Sequence, residues 1–89
     1  MAFVELKEIP GREIVPGFTA RFVHSQFMTF SYWKVKAGAV LPEHSHPHEQ
    51  VANLLSGGFE MTVAGETRIL EPGMVAVIPP GAKHSGRAL

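Results

Sequence analysis

The sequence predicts an all-β domain, a small antiparallel sandwich or barrel, and three observations carry the prediction. Glycine and proline interrupt the chain at short intervals. The runs between them are short and rich in Val, Ile, Phe, Thr and Tyr. No window keeps a helical apolar period for the roughly ten residues that a helix needs. Many short strands with frequent turn signals are what sandwiches and barrels require.

The punctuation falls at Pro10-Gly11, Pro16-Gly17, Gly38, Pro42, Gly57-Gly58, Gly65, Pro72-Gly73 and Pro79-Pro80-Gly81. The first apolar run is "FMTFSYWKV", in which Phe27, Phe30, Tyr32 and Trp33 occupy both faces of one strand. Sheet packing explains most of these rings, with Tyr32 or Trp33 as candidates for a pocket mouth. Lys34 and Lys36 share a face, expected to be solvated unless a lysine meets a ligand's carboxylate. "QVANLLS" follows, and then "FEMTV", where Phe59, Met61 and Val63 alternate with polar residues and are candidates for a pocket floor. The link Ala64-Gly65-Glu66 to "TRIL" reads as a hairpin turn, with Arg68 on the surface. "MVAVI" supplies another strand; Ser85 is expected to cap a turn, with a hydrogen bond to a ligand as the alternative, and His24 has no assigned role.

At 89 residues the chain is expected to be one domain, residues 1–89. A chain of this size buries about 60–65% of its extended surface on folding, so a deep pocket costs stability and should have a use. Basic and acidic residues balance at eight each. With no basic field, nucleic acid and anionic membrane are not expected partners. The opening "MAFVELKEIP" lacks a basic region followed by an apolar run, and no stretch approaches the roughly 20 apolar residues of a membrane span, so a cytoplasmic location is expected. The chain has no cysteine, which removes thiolate metal sites and cysteine nucleophiles.

Chemistry concentrates in "GAVLPEHSHPHEQ", which holds three of the five histidines. In an extended strand residues 44, 46, 48 and 50 share a face and Ser45, Pro47 and Glu49 take the other. His44 and His46 would then lie about 6.5–7 Å apart along the backbone, and two imidazoles at that spacing can converge on one ion. Pro47 removes a ladder hydrogen bond, so the strand should bend or end there and re-form at Gln50 to Val51. The bend leaves open whether His48, Glu49 or Gln50 completes a ligand set. His84 follows another strand bounded by glycine and proline.

These residues resemble the two motifs of the cupin superfamily. The first, Gly-x5-His-x-His-x3–4-Glu-x6-Gly, is matched by Gly38, His44, His46, Gln50 and Gly57, with glutamine in the glutamate position. The second, Gly-x5-Pro-x-Gly-x2-His-x3-Asn, is matched by Gly73, Pro79, Gly81 and His84, with Ala88 in the asparagine position. The resemblance implies a small antiparallel barrel, of the double-stranded β-helix or jelly-roll kind, with the metal motifs at 38–57 and 73–84. It also implies one divalent transition metal inside, among Ni, Zn, Fe, Mn and Cu, held by His44, His46, Gln50 and His84. Glu49 is the second choice for a ligand, and His48 is expected at the rim. The expected pocket lining is thus Tyr32, Trp33, His48, Phe59 and Met61, and no catalytic residue is assigned.

Three imidazoles and an amide oxygen are neutral, so the ion would keep its charge and favour an anionic small molecule. The segment from Arg21 to Ser85 is similar to single-domain cupins that occur beside pectin and alginate breakdown enzymes, some of which convert unsaturated uronates to linear keto-sugars. Uronate isomerisation is therefore the leading activity expected, if the protein is an enzyme. The alternatives are a binding or sensor module without turnover and, with less support because a carboxylate ligand is missing, a metal-dependent dioxygenase. Five residues follow His84, fewer than small cupins usually carry, which suggests a barrel open at one edge or completed by a partner chain, and hence a homodimer.

Overall fold

The computed structural model describes residues 2–89, and almost all of its regular structure is strand. Contacts divide the chain into two compact units, Met1–Lys36 and Ala37–Leu89.

The first unit holds a single 3₁₀ turn, Leu6–Glu8, followed by β1 (Arg12–Val15), β2 (Phe18–His24) and β3 (Thr29–Val35), which form an antiparallel sheet in the order β1-β2-β3. Two of these strands were not among the runs expected from sequence. β1 and the start of β2 carry Arg12, Glu13, Thr19 and Arg21, so their apolar runs are too broken to read, yet Pro16-Gly17 turns the chain between them. The long β2–β3 ladder sets Ala20 opposite Trp33 and Arg21 opposite Tyr32. Trp33 meets Phe18 and Phe22 edge-on, each at 6.2 Å between ring centroids, a favourable arrangement for aromatic pairs. Phe27 lies before β3 and is 87% exposed, so it is not part of that strand's packing.

The second unit contains a four-stranded antiparallel sheet in the order β4-β9-β6-β7 and a two-stranded ladder β5-β8. Its strands are β4 (Val40–His44), β5 (Gln50–Asn53), β6 (Phe59–Val63), β7 (Glu66–Leu70), β8 (Val75–Ile78) and β9 (His84–Ala88). β6 and β7 form a hairpin in which Val63 faces Glu66. Ala64 and Gly65 alone make the turn, both at positive φ, 48° and 85°. Glu66 therefore belongs to the strand and not to the link. Met61, Leu70 and Ile78 are the buried centre of this unit, with Phe59, Val63 and Ala76 packed around them. Alternation explains the set: Phe59, Met61 and Val63 share one face of β6, and Leu70 opposes Phe59.

β9 departs from the sequence expectation. Ser85 does not cap a turn; it lies in β9 opposite Thr62, and β9 pairs with both β4 and β6. Among the described residues no helix is long and apolar enough to cross a membrane.

Candidate metal centre

Three elements of the second unit deliver the histidines. His44 is the last residue of β4 and pairs across the ladder with His84, the first residue of β9. His46 sits in the break that Pro47 imposes between β4 and β5, and Gln50 opens β5. The backbone N–H of Gly81 donates to the His46 carbonyl at 2.8 Å, fastening the Pro79-Pro80-Gly81 loop to the break. One hydrogen bond thus joins the two histidine-bearing motifs.

Ligand nitrogens of His44, His46 and His84 all lie within 4.8 Å of one another. Ligands about 2.05 Å from one ion stand about 2.9 Å apart at right angles and about 4.1 Å apart on opposite sides, so ring rotations that draw the nitrogens together would bring this set to a common centre. The ring centroids of His44 and His84 are 4.1 Å apart, and those of His46 and His84 4.8 Å. His44 is exposed, His46 half-buried and His84 buried. The cluster therefore has a deep imidazole and an open side.

Each imidazole is held the same way. Nδ1 of His44 contacts the Pro42 carbonyl at 2.8 Å, that of His46 the His48 carbonyl at 2.9 Å, and that of His84 the Ala82 carbonyl at 2.9 Å. A carbonyl only accepts, so Nδ1 carries the proton and Nε2 of each neutral ring presents a lone pair. This backbone bond is the usual orienting partner of a metal-bound histidine. His84 Nε2 is buried with no hydrogen-bond partner, the state of a ligand atom awaiting a cation.

The Gln50 side chain completes the arrangement. Its Oε1 lies 2.9 Å from His46 Nε2. Two lone pairs at that distance repel unless a cation or proton lies between them. Neighbouring ligands at right angles around one ion are also about 2.9 Å apart. Turned by 180° the carboxamide donates to His46 instead, so one side chain can serve the site with and without an ion. The donor set thus fits a divalent transition metal: imidazole nitrogens suit Zn, Cu, Ni and Fe.

His48 does not join the donors. Its ring stacks face to face on His46, with centroids 4.0 Å apart and planes 3° apart. Glu49 is absent from the cluster of metal-competent side chains. Phe59 lies on β6 opposite Leu70, with its ring against Gly86 of β9. A Cβ at Gly86 would fall on that ring and 3.0 Å from the Glu60 carbonyl oxygen, so any larger residue there displaces the Phe59 ring. Met61 is buried and, with Arg68, lines a cavity of about 410 Å³ between β6–β7 and β8 whose lining contains no histidine. Tyr32 and Trp33 line a different cavity, within the first unit. Sequence reasoning missed Gly86, whose role depends on a ring 27 positions away, and the three carbonyls, which carry no side-chain signal.

The description "Cupin domain" covers the family that matches residues 31–89. Among solved structures, KdgF from a Halomonas species aligns with a TM-score of 0.91 at 28% identity, covering 100% of this chain and 83% of that one. A RmlC-like cupin from Shewanella frigidimarina gives 0.85 at 21% identity, over 99% of this chain and 80% of that one. The cupin domain of Schizosaccharomyces pombe Cnp3 gives 0.81 at 18% identity, over 99% and 64% respectively. The last two likenesses bear on the fold alone.

Proposed function

The chain belongs to the cupin family, and on that premise we propose that His44, His46, His84 and Gln50 hold one divalent transition metal that binds an unsaturated uronate and assists its isomerisation to a linear keto-sugar. The observation that carries this reading is the set of four neutral donors, three of them imidazoles whose Nδ1 protons are tied to backbone carbonyls. When bound, the metal supplies a Lewis acid whose charge no first-neighbour carboxylate offsets, and which therefore attracts a ligand carboxylate.

The protein's own groups do the rest of the positioning. The Pro42, His48 and Ala82 carbonyls fix the imidazole tautomers, so each ring in its neutral form already presents Nε2 to an entering ion. The exposed His44 side admits ligand, while the buried His84 side excludes water. Ring opening of an unsaturated uronate to its keto-sugar is an isomerisation, so no oxidant or reductant has to be held. Glu49 stands outside the cluster, so a two-histidine, one-carboxylate iron triad has no support from it. The similarity of the sequence to cupins found beside pectin and alginate breakdown enzymes points to the same substrate class, and the Halomonas KdgF, alike over the full chain, is the comparison protein to assay in parallel.

A second reading, metal-dependent binding without turnover, is favoured by one fact: no aspartate or glutamate joins the three-histidine group. The two readings separate in one experiment. Protein purified without a histidine tag is analysed by plasma mass spectrometry, alongside His44→Ala/His46→Ala, and then supplied with 4,5-unsaturated galacturonate while its ultraviolet absorbance is followed. About one equivalent of metal and loss of absorbance in the wild type alone support the enzyme. Metal and ligand binding without loss of absorbance leave the binding module. Negligible metal in both proteins after soaking refutes both.

We propose also that the protein is a homodimer joined through the outer face of β5–β8. There Val51, Val75 and Val77 are 56%, 51% and 59% exposed, with Val51 opposite Val77 across the ladder and Val75 and Val77 also bordering the cavity beside β8. Light scattering of Val51→Lys/Val77→Lys against wild type tests this.

A further inference from the structure

The first unit contains a cavity of about 310 Å³ that the histidine chemistry does not use. It lies between the 3₁₀ turn Leu6–Glu8 and the β2–β3 ladder, and its polar lining is Lys7, Arg21, Tyr32 and Lys34. Three cations meet there; no carboxylate lines it, although the Lys7 ammonium lies 3.6 Å from the exposed Glu5 carboxylate.

Register explains the grouping. Arg21 pairs with Tyr32 and Thr19 with Lys34, so strand alternation puts Arg21, Tyr32 and Lys34 on one face of the ladder. Arg21 is also pre-set. Its Nε donates to the Ile9 carbonyl at 2.8 Å, tying β2 to the chain just after the 3₁₀ turn. Gly11 lies alongside: a Cβ there would crowd the Thr19 methyl at 2.8 Å and meet the guanidinium at an ordinary contact distance of 3.5 Å. Arg21 is half-buried, and among the described residues it makes no ion pair. A fork of N–H donors held in this way, with its terminal nitrogens uncommitted, matches a carboxylate in two-point contact.

The remaining lining narrows the ligand. Leu6 and Trp33 supply apolar lining beside the charged groups, which suits a ligand with both a C–H face and polar edges. Tyr32 offers a ring face for the C–H side of a sugar and a hydroxyl for its edge, and Lys7 and Lys34 add donors for further oxygens. The volume is at the small end of ligand sites, enough for one or two rings of a longer sugar chain. With eight basic and eight acidic residues overall, the charge here is local and not part of a polyanion-binding field.

We propose that this cavity is a second binding site, for an acidic sugar, in which Arg21 takes the carboxylate, Tyr32 the ring, and Lys7 and Lys34 the flanking oxygens. It requires no metal and stands whether or not the histidine cluster turns over uronates.

The test is calorimetric titration of trigalacturonate into the wild-type protein in excess chelator, and into His44→Ala/His46→Ala, so that the histidine cluster takes no part. Saturable binding is expected in both, at least tenfold weaker in Arg21→Gln and at least threefold weaker in Lys34→Gln, with none for the neutral sugar maltotriose. Lys34→Gln leaves the Arg21 to Ile9 bond intact and so guards against a folding artefact in the arginine variant. No trigalacturonate binding to the wild type in chelator overturns the proposal. Equal binding by the wild type and Lys34→Gln, or displacement of trigalacturonate by equimolar inorganic phosphate, overturns it as well, the latter because any small anion would then serve.

Discussion

Replacing His84 with leucine is expected to invert the stability order of variant and wild type when metal is added. In the metal-free protein His84 Nε2 is a buried polar atom without a partner, and leaving such an atom unsatisfied costs about 1–3 kcal/mol. Leucine removes that cost but also removes the bond from Nδ1 to the Ala82 carbonyl, a net loss of about 0.5–1.5 kcal/mol. The balance favours the variant by about 1 kcal/mol, or about 4–8 °C in melting temperature for a domain of this size. With free metal at 100 times the dissociation constant, the wild type gains about 2.7 kcal/mol, about 11–22 °C, and the variant should gain little. Thermal melts followed by circular dichroism, in chelator and with each of Ni, Zn and Mn, read both effects. A variant that melts well below wild type in chelator would show that His84 is a satisfied packing residue. Equal metal shifts in both proteins would remove His84 from the ligand set.

Three other substitutions test neighbouring parts of the reasoning. Gln50→Glu should hold metal on the order of tenfold more tightly in chelator competition. It should also weaken binding of an anionic ligand by about fivefold or more, because like charges about 4 Å apart cost about 1–4 kcal/mol at effective dielectrics of 20–80. His48→Ala should weaken metal binding about 2- to 10-fold, from the loss of a stack worth about 0.5–1.5 kcal/mol, whereas His48→Phe should restore it. An equal effect of both would assign the loss to something other than ring stacking. Gly86→Ala should destabilise by about 1–3 kcal/mol, or about 4–24 °C, because the Phe59 ring must leave its place. Combining it with Phe59→Leu should recover part of that loss, and strict additivity would count against the contact.

Strands whose apolar runs were compact were legible in the sequence. "FEMTV" is β6 residue for residue, and "MVAVI" contains β8. The break at Pro47 and the restart at Gln50 were readable from one missing amide. Strict alternation across residues 44–50 does not apply once the strand is broken, although His48 does share a side with His46, as a stacked ring and not a donor. β1 and β2 were illegible because charged residues interrupt them and their partners are known only from the ladder. β9 was illegible for a different reason: "HSGRA" has no apolar alternation, and it is a strand because β4 and β6 flank it on both sides. The Arg21 and Lys7 cavity had no sequence signal, since its two sides come from a 3₁₀ turn and a ladder that only folding brings together.

The position of β9 bears on when the histidine cluster can exist. His84 pairs with His44, forty residues earlier (84 less 44), and its strand fills the space between β4 and β6. Contacts between residues so distant in sequence are slow to form. A chain that has made only its β6–β7 hairpin and the β5–β8 ladder therefore lacks the third imidazole, however complete its local structure. Tight metal uptake would then mark molecules that have finished folding, and an ion arriving early would find two histidines and leave again. Loading of the centre becomes a proofreading signal for the sheet that carries it.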